Sequence, residues 1–288
     1  MQKKASIDFK ADYAIKLGNY AMLLSRAGRD NLALSRSKDA LELFKELYNI
    51  QRDRFEPDYA SALNNYSNDL ADAGKHDDVL DYAKQALDIR QRLAHNKPDR
   101  FEPDYATSLS NYAIRLSEAG EDEAALKHAK QALDIRQRLA QKYEDRYIED
   151  MFNTTCHVHF LSWLSDNTDS SVDLTDLSNI PTKIPAHRLP LSQLYASFVL
   201  ACWSPTETTR AENFKNVIIA WNSLTRAHKT QAQGYRLCAA VWSAKFAPAT
   251  VADVNWQTNW HQYVTQRQGR IPHWMTEIAR RMEFQWPE

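Results

Sequence analysis

Glycine, cysteine and long apolar runs are all scarce in this chain, and each scarcity excludes a class of protein. The 288 residues include only six glycines and little alternation of β-branched residues, which favours an all-α fold. Three widely spaced cysteines, Cys156, Cys202 and Cys238, argue against a disulfide framework and predict a reducing, cytoplasmic location. No segment approaches the roughly 20 apolar residues of a transmembrane helix. No apolar run follows Met1–Ala5, so we expect no signal peptide.

The net charge of the chain is also small. At −1, the chain as a whole has no electrostatic field that would attract nucleic acid or an anionic membrane. After residue 150 the basic side chains are scattered, apart from Arg267 with Arg270 and the pair Arg280 and Arg281. Arginine and aromatic side chains can stack on bases, but without a basic stripe nucleic-acid binding ranks third among the binding functions. We therefore expect neither a membrane nor a nucleic acid as the partner.

What the sequence does have is a unit of 46 residues in three consecutive copies. The equivalent residues are Phe9, Phe55 and Phe101; Tyr13, Tyr59 and Tyr105; Asn19, Asn65 and Asn111; Gly28, Gly74 and Gly120; and Leu41, Leu87 and Leu133. The second and third copies share Asp53–Ala60 with Asp99–Ala106, and Ala83–Ala94 with Ala129–Ala140, letter for letter. A fixed period of this size predicts a solenoid, in which each unit buries its apolar face by stacking on its neighbours.

Each copy is predicted to form two helices, here called helix A and helix B. The apolar stripe of helix A in copy three follows helical spacing and consists of Tyr105, Leu109, Tyr112, Ala113 and Leu116. We expect Pro103 in the first turn, with Phe101 packing against that turn from outside the helix. Gly120 is expected to end helix A in the left-handed conformation. Helix B then begins at Asp122, and its packing face is Ala125, Ala129, Ala132 and Leu133.

The string from Ala106 to Gly120, followed by Ala125 and Ala129–Ile135, resembles a tetratricopeptide repeat. It is most similar to the long repeats of the kinesin light chain type, although the period of 46 exceeds the usual repeat of about 34 residues. Copy two departs from the family pattern at Val79 and copy one at Ser37. The resemblance covers about residues 5–165. It implies a right-handed α-solenoid that binds a protein or peptide partner.

The domain prediction follows from the repeats and from a change in composition. The solenoid is predicted over residues 5–165, with repeats at about 9–54, 55–100 and 101–146 and a degenerate fourth over 147–165. Residues 166–190 are rich in Asp, Ser, Thr and Pro and are predicted to form a loop or linker. Residues 191–288 are predicted to be a helical C-terminal region, and they resemble no family. All eight tryptophans lie after residue 150, whereas most of the charged side chains lie before it.

Two features of the C-terminal region make specific predictions. Ser204–Glu207 is predicted to be a capping box that starts a helix, with Pro205 at its first position. Trp256, Trp260 and Tyr263 fall on one face of a predicted helix. Such an aromatic stripe is typical of a packed core, and the alternative, a patch that binds a partner, stays open.

The resemblance implies that side chains of helix A line a concave groove for the partner. These residues are Asn19, Met22 and Arg26 from copy one; Asn64, Asn65, Asn68 and Asp72 from copy two; and Ser110, Asn111, Ile114 and Glu118 from copy three. The Asn19, Asn65, Asn111 series has amides that can both donate to and accept from a peptide main chain. The same amides can instead bond neighbouring helices and fix their stacking, so both interpretations stay open. Only Arg26 is basic among these positions, which disfavours a clamp for a terminal carboxylate.

The sequence assigns no metal, cofactor or catalytic residue. Cys156, His157 and His159 are the nearest approach to a metal cluster, but residues two apart on a helix point to different faces. No Gly-rich phosphate loop, HExxH or GxSxG motif occurs. An enzyme is therefore the less favoured class, although a Cys/His pair can also meet through the fold rather than through the sequence.

The favoured function is that of an adaptor or scaffold that binds a peptide or protein in the groove of the repeats. The first alternative is an effector or enzyme whose activity lies in the C-terminal helices, with the repeats acting as its sensor. The second alternative is a regulator that binds a signalling peptide. The sequence leaves the identity of the partner and the oligomeric state open.

Overall fold

The computed structural model describes residues 2–75, 78–165, 174–247, 255–267 and 269–287, and these residues form helices and turns without a strand. This part of the chain contains thirteen helices: α1 (Gln2–Arg26), α2 (Asp30–Ile50), α3 (Arg52–Asp72), α4 (Val79–Asn96), α5 (Pro98–Ala119), α6 (Asp122–Lys142), α7 (Glu144–Leu164), α8 (Thr175–Ser178), α9 (Leu189–Trp203), α10 (Glu207–Asn222), α11 (Arg226–Phe246), α12 (Trp256–Gln266) and α13 (His273–Arg281). The predicted all-α solenoid of helical hairpins is confirmed.

The helices form two compact units. Unit 1 comprises Met1–Arg115 with Gln266–Gln268, and unit 2 comprises Leu116–Thr265 with Gly269–Glu288. The division falls inside α5, and the predicted boundary at residues 166–190 stays a prediction. Residues 166–173 of that segment lie outside the described residues. The remainder contains α8, and its Leu177 and Ile184 are buried.

Glycine ends helix A in each of the three copies, as predicted. Gly28, Gly74 and Gly120 have φ angles of 69°, 72° and 88°, in the left-handed region that side chains with a Cβ disfavour. The amide of the next residue bonds a carbonyl five residues back, as in Arg29 N to Leu24 O at 2.9 Å. This is the Schellman arrangement, which satisfies carbonyls left over at the helix end.

The prediction for the start of helix A was wrong. Helices α3 and α5 begin at Arg52 and Pro98, and Pro57 and Pro103 lie inside them rather than in the first turn. The extra turn brings Phe55 and Phe101 onto the helix, where they are 3% and 6% exposed. Burial of an aromatic ring contributes more than the one backbone hydrogen bond that each proline removes. Phe101 therefore packs as part of the helix and not as a staple outside it.

An arginine joins each of two helix B elements to the helix A that follows. In unit 1, the guanidinium of Arg90 donates to the carbonyl of Asp104 at 3.2 Å and to the hydroxyls of Ser108 and Ser61 at 3.0 and 3.1 Å. Arg90 is 7% exposed, and this burial lowers its pKa, while Asp104 opposes the shift.

The same contact recurs 46 residues later in unit 2. Arg136 on α6 donates to the hydroxyl of Thr154 and to the carbonyl of Asp150 on α7. Asp150 and Thr154 stand one period after Asp104 and Ser108. This shared contact favours the degenerate fourth repeat over residues 147–165, which stays a prediction.

The first helix lacks the packing that its counterpart in copy two has. On α1, Phe9, Tyr13, Tyr20 and Leu23 are 74%, 51%, 51% and 58% exposed. One period later, the face of α3 packs against α2, with Phe55 and Tyr66 buried and Tyr59 stacked on Tyr48 at 5.0 Å. Among the described residues, α1 thus presents to solvent the face that α3 buries.

Unit 2 has a core of aromatic rings from distant parts of the chain. The ring of Phe198 on α9 lies 4.8 Å from Tyr235 on α11 and 6.0 Å from Phe214 on α10. Tyr235 stacks on Trp274 of α13 at 5.1 Å, and Phe214 lies 5.3 Å from Trp242. Trp242, Phe198 and Phe214 are each at most 1% exposed. These contacts hold α9, α10, α11 and α13 together.

Two details of unit 2 bear on the predictions from sequence. The predicted capping box was misplaced, because Thr206 rather than Ser204 caps α10 by accepting from Thr209 N at 3.2 Å. Ser204 is buried and donates to Leu200 O at 2.7 Å, at the end of the preceding helix. Trp260 is buried in the stripe on α12, parallel to the ring of Trp286 at 4.3 Å, whereas Trp256 is half-buried.

Candidate partner-binding surface

A small cavity opens between the first two copies, within unit 1. It has a volume of about 150 Å³ and is lined by α1, α2 and α3. Asn19 and Asn65, two of the predicted groove residues, both line it, and both side chains are exposed. Ile15, Gly18, Asp58 and Ser61 are also at its wall, so helix A of both copies contributes polar groups.

The cavity exists because copy one has glycine where the other copies have a side chain. Gly18 is equivalent to Asn64 and Ser110, one and two periods later. No atom lies within 4 Å of the position that a Cβ of Gly18 would occupy. Glycine in a helix interior is destabilising by about 0.5–1 kcal/mol relative to alanine. Copy one thus leaves open space where copies two and three have polar side chains.

The same difference decides the hydrogen bonding of the asparagine series. Asn111 donates its amide to Oδ1 of Asn64 at 3.0 Å, and Asn64 is only 6% exposed. This bond supports the structural interpretation for Asn111. One period earlier, Asn65 would need its partner at residue 18, which is glycine. The amide of Asn65 is therefore exposed at the cavity, and its role in binding stays a prediction.

The cavity wall also contains a partly desolvated carboxyl group. Burial raises the pKa of Asp58, and the nearby guanidinium groups of Arg54 and Arg100 oppose that shift. Asp58 lines the cavity next to the amides of Asn19 and Asn65. The site can accept hydrogen bonds at Asp58 and both donate and accept at the amides, which suits a peptide main chain.

The other predicted groove residues are not all accessible. Met22 and Arg26 on α1 are exposed, whereas Ser110 on α5 is buried with its hydroxyl unpaired among the described residues. The half-buried members of the set are Asn68, Asp72, Asn111, Ile114 and Glu118. The role of each of these residues in binding stays a prediction.

The carboxylates of Asp30, Asp69 and Asp72 lie close enough to influence one another, which the sequence did not indicate. Burial is the largest cause that raises the pKa of Asp30 to about 6, with Asp72 adding to the shift and Arg267 of the same unit opposing it. Burial, Asp72 and Asp30 likewise raise the pKa of Asp69 to about 6, against the effect of the Ser37 hydroxyl. Asp30 follows helix A of copy one and Asp69 lies in helix A of copy two, so only the packing of the repeats brings them together.

The three cysteines of unit 2 and the side chain of His157 are desolvated by the surrounding protein. Cys156, Cys202 and Cys238 are free and buried, and burial raises the pKa of each thiol above its usual value. Burial and the neighbouring Arg136 lower the pKa of His157 to about 4. Thiols with raised pKa values stay protonated and are poor nucleophiles. These groups therefore have the character of structural residues.

A broader cleft in unit 2 is lined by charged groups that bond one another. Its volume is about 590 Å³, and Asp122, His273, Glu277 and Arg281 are among its wall residues. Asp122 accepts from the Ser117 hydroxyl at 2.9 Å and lies 3.7 Å from His273. Arg281 donates to Glu277 at 2.6 Å. Asp122, His273, Glu277 and Arg281 are thus engaged in contacts within the protein.

The described residues include neither a metal-binding cluster nor a membrane-spanning helix. No group of three or more His, Cys, Asp or Glu side chains is placed there to hold a metal ion. In the same part of the chain, no helix has both the length and the apolar character needed to cross a membrane.

Comparison with known proteins agrees with the repeat geometry. A search of curated proteins found none that matches this chain. The family model of the tetratricopeptide repeat matches residues 12–92 and, in a second register, residues 58–138. These matches cover the hairpins α1–α2, α3–α4 and α5–α6, and the finer resemblance to kinesin light chains stays a prediction. Residues 12–138 of the chain thus form tetratricopeptide repeats.

Proposed function

We propose that this protein is an adaptor that binds an extended peptide segment of a partner along helix A of its repeats. Tetratricopeptide repeats generally mediate interactions between proteins, and the exposed amide of Asn65 beside Gly18 is the observation that carries the proposal. The three copies provide the comparison, because the equivalent Asn111 is already bonded to Asn64. A cytoplasmic location, which the free buried cysteines favour, is part of the proposal.

The chemistry of the cavity suggests how the peptide is held. Asn65 and Asn19 offer donors and acceptors to the peptide main chain, which makes binding tolerant of side-chain identity. Asp58, Asp72 and Glu118 add negative charge at helix A positions, whereas Arg26 is the single basic residue of the predicted set. We therefore expect a neutral or basic peptide rather than an acidic one.

The test uses peptides selected from a random display library on the intact chain. Gly18→Asn supplies the side chain that copies two and three have, fills the cavity and gives Asn65 a partner. It should abolish peptide binding without lowering the melting temperature, because asparagine is no worse than glycine inside a helix. Asn65→Ala should weaken binding about tenfold, the effect of one well-placed hydrogen bond in a desolvated site. Both affinities are measured by calorimetry.

A matched control removes an equally exposed amide from helix B. Gln91 lies on α4 and does not line the cavity, so Gln91→Ala should leave the affinity unchanged. Selected peptides that bind the Gly18→Asn variant as tightly as the parent would show that this cavity is not the binding site. A library that yields no binder to the intact chain would contradict peptide recognition itself.

A further inference from the structure

A second cavity in unit 1 lies between α2, α3 and α4, and it has a different character. Its volume is about 360 Å³. Three tyrosine rings line it, from Tyr59 and Tyr66 on α3 and Tyr82 on α4. The rings of Tyr66 and Tyr82 meet edge to face, with centroids 4.9 Å apart and an interplanar angle of 83°. Tyr59 lies two turns before Tyr66 on the same face of α3.

Tyrosine rings in this arrangement attract cations, and none of the described cations of this protein occupies them. The negative face of an aromatic ring attracts an ammonium or guanidinium group within about 6 Å of its centroid. Elsewhere in unit 1 the protein uses this contact itself, with Arg52 over Tyr48, Arg54 over Phe55 and Arg100 over Phe101. No described lysine or arginine lies over the rings of Tyr59, Tyr66 or Tyr82.

Carboxylates give the same cavity a negative balance. Glu42, Asp78 and Asp81 line it together with Lys38 and Lys45. Within the described part of the chain, none of these five groups forms an ion pair within 4.0 Å. Burial is the main cause that raises the pKa of Tyr66, and Tyr82, Asp78 and Glu42 raise it further. Asp78 and Glu42 are thus close enough to act on the ring of Tyr66, and the three carboxylates at the wall outnumber the two lysines.

The sequence shows that this combination is specific to copy two. One period later, Tyr82 becomes His128, Asp81 becomes Lys127 and Asp78 becomes Ala124. Four other wall positions keep their character, with Tyr105 and Tyr112 for Tyr59 and Tyr66, and Lys84 and Asp88 for Lys38 and Glu42, whereas Lys45 becomes Gln91. The substitutions end at residue 82, since the next twelve residues are identical in copies two and three. Stacking of the repeats therefore does not require the third ring or the two aspartates.

We propose that the cavity between α2, α3 and α4 binds an organic cation, either an alkylammonium or a guanidinium group. The rings of Tyr59, Tyr66 and Tyr82 contact the cation, and Glu42, Asp78 and Asp81 compensate its charge. An anion is disfavoured by the three carboxylates, and a metal ion by the lack of a ligand cluster among the described residues. The cavity is large enough for a trimethylammonium group or the end of an arginine side chain. This site is separate from the peptide cavity at Gly18 and does not depend on it.

The first experiment titrates the intact chain, labelled in its tyrosine rings, and follows the ring signals by NMR. Choline is compared with 3,3-dimethylbutan-1-ol, which has the same shape without the charge. We expect choline to give saturable shifts of the Tyr59, Tyr66 and Tyr82 signals, and the alcohol to give none. Equal shifts with both ligands, or no saturable shift with choline, would overturn the proposal.

Variants then test the residues that are specific to copy two. Tyr82→His with Asp81→Asn introduces the copy-three histidine and removes one charge, and it should weaken choline binding at least about tenfold at pH 8. Tyr82→Phe keeps the ring and should retain binding. Asp53→Asn makes the same charge change at an exposed position outside the cavity and should have no effect. An equal loss in Asp53→Asn would show a long-range charge effect and contradict the site.

Two sources can supply the cation, and the titration distinguishes them. A capped tripeptide with a central arginine represents a side chain of a protein partner, and choline represents a free small molecule. Tighter binding of the tripeptide would assign the site to a protein partner, and tighter binding of choline to a metabolite. Either result supports a cation site, whereas an equal response to the tripeptide with central alanine contradicts it.

Discussion

Unit 1 and unit 2 are both built of helices, but different side chains hold them together. In unit 1, small residues such as Ala14, Ala60 and Ala86 are fully buried at the helix contacts, and Arg90 bonds across the copies. In unit 2, a network of aromatic rings from α7, α9, α10, α11 and α13 fills the core. Small residues let helices approach at a repeating distance, whereas large rings fill spaces that differ from place to place.

The comparison also explains where a binding site arises in unit 1. Where both members of a repeated contact are present, they pair, as Asn111 and Asn64 do. A single departure from the repeat, such as Gly18, leaves a polar group exposed and creates open space. The helices of unit 2 that follow α7 show no such period in the sequence, so departures there cannot be recognised from the sequence.

The largest effect is expected from truncation of the aromatic core. Trp242→Ala should lower the free energy of unfolding of unit 2 by about 3–5 kcal/mol, because the ring is 1% exposed and its loss leaves a cavity. All eight tryptophans lie in unit 2, so urea denaturation followed by tryptophan fluorescence reports this unit. Ile219→Ala on α10 is the control, since Ile219 is 55% exposed and its truncation should cost less than about 0.5 kcal/mol. Equal losses would contradict a core centred on Trp242.

The buried arginine of unit 1 should come next. Arg90→Met keeps the length of the side chain but leaves two serine hydroxyls and one carbonyl without their donor. We expect a loss of about 2–3 kcal/mol in the free energy of unfolding, measured by circular dichroism in urea. The matched control is Lys84→Met on the same helix, where an exposed ion pair with Asp88 contributes little. A variant as stable as the parent would show that desolvation of Arg90 cancels its hydrogen bonds.

Alanine substitutions at Asn111 and Asn65 should have different effects on stability. Asn111→Ala removes the donor from the buried Oδ1 of Asn64 and should cost about 1–2 kcal/mol in the free energy of unfolding. Asn65→Ala should change stability by less than about 0.5 kcal/mol, because its amide is exposed. Thermal unfolding of the two variants provides the measurement. If both lose the same stability, Asn65 is structural and the proposed peptide cavity loses its main group.

The smallest effects concern the dependence of stability on pH, and the sign of this dependence should differ between Asp69 in unit 1 and Glu277 in unit 2. In unit 1 the pKa of Asp69 is raised to about 6, so the folded state binds more protons than the unfolded state between about pH 4 and 6. Stability from this group therefore falls as the pH rises through that window. Asp69→Asn removes the penalty and should stabilise the protein on the order of 1 kcal/mol at pH 7.5, but not at pH 4. Circular dichroism melts at both pH values test this.

In unit 2 the pKa of Glu277 is lowered to about 2 by hydrogen bonds from Arg280 first and then from Arg281. Its contribution to stability is complete above about pH 4.5 and is lost as the pH falls towards 2. Glu277→Gln should thus destabilise unit 2 at pH 7 and have no effect near pH 2, as followed by tryptophan fluorescence. A loss that is independent of pH would assign the role of Glu277 to packing.

Much of unit 1 could be predicted because the sequence contains three versions of each contact. Gly28, Gly74 and Gly120 mark the ends of helix A, and the alanines of helix B mark its packing face. The position of Pro57 and Pro103 was missed, because the benefit of burying Phe55 and Phe101 is visible only after packing. The proximity of the Asp30 and Asp69 carboxylates could not be predicted either, because only the packing of the repeats brings them together.

The candidate site was only partly predictable. The sequence shows the asparagine series as a period, and it shows glycine at residue 18 where the other copies have Asn64 and Ser110. Only the structure shows that Asn111 bonds Asn64, and therefore that Asn65 lacks the equivalent bond at Gly18. In unit 2, the rings that meet at Phe198 come from helices separated by long stretches of sequence. Helical spacing indicates that such rings are buried, but it does not indicate which of them touch.

The exposed face of α1 has a consequence for protein design. Phe9, Tyr13 and Tyr20 on α1 are equivalent to Phe55, Tyr59 and Tyr66 on α3. In copy two, this face of the helix packs against α2. A hairpin copied from residues 55–100 and fused upstream of α1 should therefore pack against the exposed face of α1. Hairpins of the protein's own sequence can thus be added by design next to α1, and thermal stability should rise with each hairpin added, as nearest-neighbour stacking requires.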